Sequence, residues 1–204
     1  GVATTVDLSS LDEATYTGMT ITVTDATGNA GSATINDFEV DKTNPDVEID
    51  THPDNPTNTP SVTFTSSKAG NYVIKDSDDN VVVTPTTLAA GAATTVNFTT
   101  LADATHSGMV ITVTDAAGNT GSATINNFTV DKTAPSIGTN FAISSTSNGT
   151  SSGVGHVVTV TCTFNENIDT NNKPQIKIET GAGDTFSEVL ALTTATPGVN
   201  NATW

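Results

Sequence analysis

Carboxylate-rich turns are the features of this sequence with the clearest capacity for chemistry. Asp25 and Asp115 open short turns in the segments TDATGN (24–29) and TDAAGN (114–119), and the segment DSDDN (76–80) carries three more aspartates. Carboxylate, amide and carbonyl oxygens are the ligands of Ca²⁺, which takes about six to eight of them. The spacing is not that of an EF-hand loop, because Gly at the sixth and Glu at the twelfth position are missing. Several turns would have to meet to form a site.

The same turns also have a purely structural interpretation. Gly28 and Gly118 can adopt positive φ, and the side chains of Asp25 and Asp115 can cap their own turns. The segment 76–80 can likewise be a solvated turn. Turn capping and metal binding are both open for these residues at the level of sequence.

Catalytic chemistry finds little support in the sequence. His52, His106 and His156 are scattered and lack metal-ligand spacing. The chain has no GxSxG elbow, phosphate-binding loop or zinc motif. The single cysteine, Cys162, permits no internal disulfide and is interpreted as a packed structural thiol. We predict that the protein is not an enzyme.

Strands have to position the acidic turns, because the hydrophobic pattern has a period of two. Thr alternates with Val, Ile and Phe, as in TITVT (20–24), and no segment of useful length has helical periodicity. Hydrophobic residues are 35% of the chain and aromatic residues 5%, which favours several small cores over one large core. The sequence predicts an all-β fold.

An internal repeat indicates the domain organisation. Residues 11–45 and 101–135 are related by an offset of 90 residues without a gap, and 25 of the 35 paired positions are identical. A period of about 90 residues is the length of one small β-sandwich. We therefore predict that residues 1–45 are the C-terminal half of a domain, 46–135 a complete domain and 136–204 a divergent, incomplete domain.

Seven strands are predicted in the complete domain, over 46–50, 61–66, 71–75, 81–84, 95–99, 109–114 and 122–130. Alternation predicts nine core residues: Val62, Phe64, Val73, Val96, Phe98, Ile111, Val113, Ile125 and Phe128. The segment DEATY (12–16) has the form of a tyrosine corner. The Tyr16 position is taken by His106 in the second copy, where we expect a hydrogen bond to the backbone.

The repeats resemble the bacterial immunoglobulin-like domains of large repetitive surface adhesins. The resemblance rests on ITVTDAAGNTGSATINNFTVDKTAP (111–135) and its copy at 21–45, and more weakly on VVTVTCTFNENID (157–169). It implies tandem immunoglobulin-like β-sandwich domains in an elongated array outside the cell, at the cell surface. Adhesins of this kind use Ca²⁺ between their domains, so the resemblance also supports calcium here.

Alternating strand direction places the acidic loops where consecutive domains meet, and we predict two calcium sites there. Ca²⁺ that bridges a linker would stop the neighbouring domains from pivoting. The first site, at the entry to residues 46–135, comprises Asp12, Glu13, Asp41, Asp46, Asp115 and Asn119. The second site, at the exit, comprises Asp76, Asp78, Asp79, Asp103 and Asp131.

The net charge of the chain limits the classes of molecule that it can bind. There are 22 acidic and 6 basic residues, and the net charge of −16 disfavours binding to nucleic acid or anionic lipid. No apolar run approaches the roughly 20 residues of a membrane-spanning helix, so no membrane insertion is expected.

The predicted function is that of a structural spacer or adhesive stalk. Its expected partners are the neighbouring domains of the same long chain. One alternative is a subunit of a self-assembling extracellular filament, in which identical subunits complete one another by strand addition. A second alternative is an accessory module of a secreted enzyme.

Overall fold

The computed structural model describes residues 3–145, 158–166, 176–179, 185–188 and 201–203. The chain divides into two compact units, residues 1–132 and 133–204. The predicted border after residue 45 lies inside the first unit, and the predicted border at residue 135 lies close to the division.

The described residues form eighteen strands and no helix. In the first unit these are β1 (Ala14–Tyr16), β2 (Thr20–Thr24), β3 (Ala30–Thr34), β4 (Phe38–Val40), β5 (Val47–Thr51), β6 (Ser61–Ser66), β7 (Gly70–Lys75), β8 (Val81–Leu88), β9 (Thr94–Asn97), β10 (Ala104–His106), β11 (Val110–Asp115), β12 (Thr120–Thr124) and β13 (Phe128–Val130). In the second unit they are β14 (Ile137–Ser145), β15 (Val158–Phe164), β16 (Ile176–Glu179), β17 (Thr185–Glu188) and β18 (Asn201–Thr203).

Two sheets share one core in the stretch from β5 to β13. One sheet has the strand order β12-β11-β7-β8 and the other the order β5-β6-β9, and neighbouring strands are antiparallel. Alternation along the strands directs Val62 and Phe64 from the second sheet and Ile111 and Val113 from the first into this core. The predicted all-β fold is confirmed.

The strand predicted over 122–130 is in fact two strands with different partners. β12 pairs with β11, whereas β13 pairs with β10. Ile125 and Phe128 are both buried, as predicted, although they are three residues apart. In one straight strand, side chains three residues apart project to opposite faces. The break between β12 and β13 allows both side chains to reach the core.

One predicted core residue is wrong. Val73 is only half-buried, whereas Tyr72 and Ile74 on either side of it belong to the core. In the pairing of β7 with β11, Tyr72 lies opposite Val113 and Ile74 lies opposite Ile111. Opposite residues of an antiparallel pair project to the same face. Cross-strand register therefore decides which of three consecutive apolar residues faces inward.

The first copy of the repeat reproduces the local pairing of the second. Thr20 pairs with Thr34 in the hairpin of β2 and β3, as Val110 pairs with Thr124 in the hairpin of β11 and β12. β1 pairs with β4 as β10 pairs with β13. Among the described strands, however, β1 to β4 pair only with one another.

The second unit contains a three-stranded sheet and a hairpin. The sheet has the order β14-β15-β18, and β16 pairs with β17. Cys162 lies in β15, but its side chain, like the whole of His156, lies outside the described residues. In the described part of the chain, no helix is long and apolar enough to cross a membrane.

Candidate functional site

The linker of residues 41–46, which connects β4 to β5, is hydrogen-bonded to two loops of the following sandwich. Asp46 and Ser67 exchange two hydrogen bonds of 2.8 Å, from the Asp46 amide to Ser67 Oγ and from the Ser67 amide to the Asp46 carbonyl. At the other end, Asn119 Nδ2 donates to the Asp41 carbonyl at 3.1 Å. The linker is thus attached to the β6–β7 loop and the β11–β12 turn. We call this region the first junction.

The linker also packs directly on the backbone of β12. A Cβ atom placed on Gly121 would collide with the carbonyl of Pro45, which is a buried residue. The corresponding glycine of the first copy, Gly31, has nothing within 4 Å of such a Cβ. Only glycine permits this approach of linker and strand.

Lys68 lies at the centre of the first junction. Its Nζ is 2.6 and 2.8 Å from the two carboxylate oxygens of Asp41 and 3.1 Å from Oδ2 of Asp115, and it also donates to the Thr43 carbonyl. One ammonium therefore joins the linker to the β11–β12 turn.

Local bonds in the β6–β7 loop place Lys68 there. The buried Ser66 hydroxyl donates to the Lys68 carbonyl at 2.8 Å and accepts from the Lys68 amide at 3.3 Å. Two residues later, Gly70, the first residue of β7, pairs with Asp115, the last residue of β11. The strand register thus brings the lysine and the aspartate to the same end of the sheet.

The electrostatics of the first junction favour the charged forms of both partners. Burial pushes the pKa of Asp115 upward, but hydrogen bonds from the Asn119 and Lys68 side chains and the Asn119 amide outweigh it, so the pKa falls to about 2. The hydrogen bond to Asp41 raises the pKa of Lys68 above its ordinary value, against the effect of burial. The ion pairs are therefore formed at neutral pH.

Asp115 and Asp25 cap their turns in the same way, as predicted. Oδ1 of Asp115 accepts the amides of Ala117 and Asn119 at 3.0 and 2.9 Å. Oδ1 of Asp25 accepts the amides of Thr27 and Asn29 at 2.9 and 2.8 Å. The side-chain hydrogen bonds from Asn29 and Thr27 hold the pKa of Asp25 well below its usual range.

Glycine completes both capped turns. Gly28 and Gly118 have φ values of 94° and 93° in the two copies, a region that glycine reaches without strain. The two turns therefore share one geometry, which follows from their shared sequence.

The remaining residues of the first predicted calcium site are exposed, and none of them contacts Lys68 among the described hydrogen bonds. Oε2 of Glu13 accepts from the Thr43 hydroxyl at 2.6 Å and from the Lys42 amide at 3.3 Å. The Asp12 carbonyl accepts from the Tyr16 hydroxyl, and both Asp12 and Asp46 are exposed residues. The structure thus brings Asp41, Asp115 and Asn119 together, with Lys68 among them.

The second predicted site is divided among local contacts. Asp76 caps its own turn by accepting the amides of Asp78 and Asn80, each at 2.9 Å. These bonds, with those of the Asn80 side chain first among them, lower the pKa of Asp76. Asp79 forms an ion pair with Lys75 at 2.8 Å, and Asp78 is exposed.

Asp103 and Asp131 lie near the exit from the sandwich. Asp103 accepts from the Lys132 amide at 2.9 Å, and the Asp131 amide donates to the Thr57 carbonyl at 3.0 Å. Within the described ranges, no group of three or more His, Cys, Asp or Glu residues is arranged to hold a metal ion.

The corner residues bond as expected. The Tyr16 hydroxyl donates to the Asp12 carbonyl at 3.0 Å, and His106 Nε2 lies 3.1 Å from the Ala102 carbonyl. The imidazole therefore performs the structural task of the phenol in the second copy, which confirms the predicted backbone hydrogen bond of His106.

Lys68 is the residue of this region that sequence reasoning missed. It stands alone in the turn SSKAG (66–70), and a single lysine in a turn carries no specific signal. Its position in the fold is the one signal that could have identified it. The β6–β7 loop, which carries Lys68, and the β11–β12 turn are expected at the same end of an antiparallel sandwich.

Comparisons with known proteins give one similarity. No family model matches the chain, and no curated protein matches it. Among solved structures, the chain is similar to the crystal structure of a tetra-tandem repeat in the extending region of a large adhesion protein. The identity is 20%, the TM-score is 0.35, and the match covers 99% of this chain and 50% of the other. The chain thus spans about half the length of that structure, and a similarity of this size does not establish a common fold or function.

Proposed function

We propose that this chain is a non-enzymatic structural spacer made of immunoglobulin-like sandwich repeats, part of a bacterial adhesin on the outside of the cell. The observation that carries the proposal is the bonded linker of the first junction. Hydrogen bonds at Asp41 and Asp46 attach both ends of the linker to the following sandwich, and Pro45 packs on Gly121 between them.

A spacer needs a joint of this kind. A flexible linker of Gly and Ser lets neighbouring domains move independently, whereas a linker bonded along its length transmits orientation and force. The partners of each repeat are then its neighbours in the same chain, as in other linear arrays. The net charge of −16 disfavours nucleic acid and anionic lipid as partners.

The test of the proposal is the rigidity of the first junction. Spin labels at exposed Thr22 and Thr87, in a Cys162→Ser background, report the distance between the first copy and the following sandwich by electron–electron double resonance. We expect a single narrow distance distribution for the full chain. A distribution as broad as that of an unstructured linker would contradict the spacer role.

The filament alternative is favoured by a different observation. Four apolar residues of the segment 1–45 are exposed, although their counterparts 90 positions later belong to the core of the sandwich. These residues are Val6, Leu8, Ile21 and Val23. Identical subunits that cover such surfaces would assemble, which sedimentation over a range of concentrations and electron microscopy would detect. A chain that remains monomeric at high concentration would exclude the filament.

Calcium bound by Asp76, Asp78, Asp79, Asp103 and Asp131 is a separate prediction within the spacer proposal. Its direct test is the melting temperature of the full chain in calcium and in EGTA. An unchanged melting temperature would contradict a stabilising calcium ion at these residues.

A further inference from the structure

The oxygens gathered at the first junction surround an ammonium group. Lys68 Nζ contacts both carboxylate oxygens of Asp41, one of Asp115 and the carbonyl of Thr43. The Asp115 side chain is 4% exposed, and those of Lys68 and Asp41 are 25% and 26% exposed. The ion pairs are thus largely withdrawn from water, where two carboxylates without a cation would be strongly disfavoured.

This arrangement does not fit a calcium ion. Ca²⁺ requires about six to eight oxygen ligands at about 2.3–2.6 Å, and the ammonium lies among the oxygens that would supply them. The amide of Asn119 also directs its nitrogen, not its oxygen, towards the carbonyl of Asp41 and the carboxylate of Asp115. An N–H group at this position donates hydrogen bonds to the two oxygens, whereas a calcium ligand would have to be an oxygen atom.

We propose that the Lys68 ammonium is the resident cation of the first junction and holds the linker on the sandwich without a metal ion. From the β6–β7 loop, the ammonium contacts two other elements: the linker, through Asp41 and Thr43, and the β11–β12 turn, through Asp115. A covalently attached cation cannot be removed by dilution or chelation, so this joint stays closed when calcium is absent. The inference goes beyond the spacer role and does not depend on it, because it concerns only how the linker is held.

The experiment measures amide hydrogen exchange by NMR in the full chain. The amides of Asp46 and Ser67 are the reporters, because their hydrogen bonds join the linker to the β6–β7 loop. We expect the same exchange rates for the natural chain in EGTA and in millimolar calcium. In Lys68→Gln we expect exchange at both reporters to be faster by about tenfold or more, since local opening becomes easier.

The matched control is Lys75→Gln, which removes the lysine of the exposed pair with Asp79. It should leave both reporter amides unchanged, while the core amides of Ile111 and Val113 show whether each variant is folded. Faster exchange of the reporters of the natural chain in EGTA would overturn the proposal, as would natural exchange rates in Lys68→Gln.

A second measurement needs no variant. The carboxyl carbon of Asp115 in the natural chain should keep its chemical shift as calcium is added to about 10 mM. This concentration is well above the dissociation constants of extracellular calcium modules. A saturating shift would mean that calcium displaces the ammonium, and would overturn the proposal independently of how Lys68→Gln folds.

Discussion

The two copies of the repeat form the same strands from nearly the same sequence but differ in what covers them. At four positions related by the 90-residue offset, residues of the segment 1–45 are between 37% and 66% exposed, whereas their counterparts in the sandwich are at most 7% exposed. The corresponding pairs are Val6 and Val96, Leu8 and Phe98, Ile21 and Ile111, and Val23 and Val113. Val96 lies in the β5-β6-β9 sheet and Ile111 and Val113 in the β12-β11-β7-β8 sheet, and the two sheets together enclose the core.

The difference separates local from tertiary contributions. Hairpin register, the Asp cap and the positive φ of the turn glycine are the same in both copies, with and without a facing sheet. These features depend on residues close in sequence. Burial differs because it requires a second sheet.

The largest expected effect comes from the matched pair Ile111→Ala and Ile21→Ala. Ile111 is fully buried, so its truncation should reduce the free energy of unfolding by about 2–5 kcal/mol. Ile21 is 43% exposed, so its truncation should cost less than about 1 kcal/mol. Calorimetric melting of the full-length variants measures both. Equal losses would mean that a facing layer covers the first copy in solution.

A smaller effect is expected for the matched glycines. Gly121→Ala places a methyl group against the Pro45 carbonyl and should destabilise the chain by about 1–3 kcal/mol. Gly31→Ala meets open space and should remain within about 1 kcal/mol of the natural chain. Urea denaturation of the two variants makes the comparison. A neutral Gly121→Ala would show that the linker does not pack on β12.

The smallest expected effect is the loss of the stabilising contribution of Asp115 at acidic pH. The pKa of Asp115 is about 2 in the folded chain and about 3.9 when unfolded, so its contribution to stability is present above about pH 4 and is lost as the pH falls through about 2. We expect NMR signals of the Ala117 and Asn119 amides, which donate to Oδ1 of Asp115, to change as the pH falls through about 2. A change of these two signals near pH 4 instead would show that the contacts of Asp115 do not lower its pKa.

Much of the fold could be predicted from sequence, and the errors have physical reasons. The 90-residue repeat, the strand at residues 61–66 and the capped turns follow from alternation and turn chemistry. The inward side of β7 could not be predicted, because three consecutive apolar residues satisfy either register and the pairing with β11 decides between them.

The candidate site was predictable only in part. Asp41, Asp115 and Asn119 were expected at one junction because strand direction places their loops together, and the structure does bring them together. Lys68 was missed, because nothing local distinguishes a cation that fills a site from one that faces solvent. Calcium at Asp76, Asp78, Asp79, Asp103 and Asp131 stays a prediction, which the melting measurement tests. At the first junction the exchange measurement decides between calcium and the Lys68 ammonium.

The sequence by itself determined the hairpins, their register and the capping of their turns, because those interactions join residues within a few positions of one another. Only the tertiary structure decided which copy has a buried face and which cation meets the aspartates of the first junction. Asp41, Lys68 and Asp115 are far apart in the chain, and they meet because two sheets pack and bring their loops to one end.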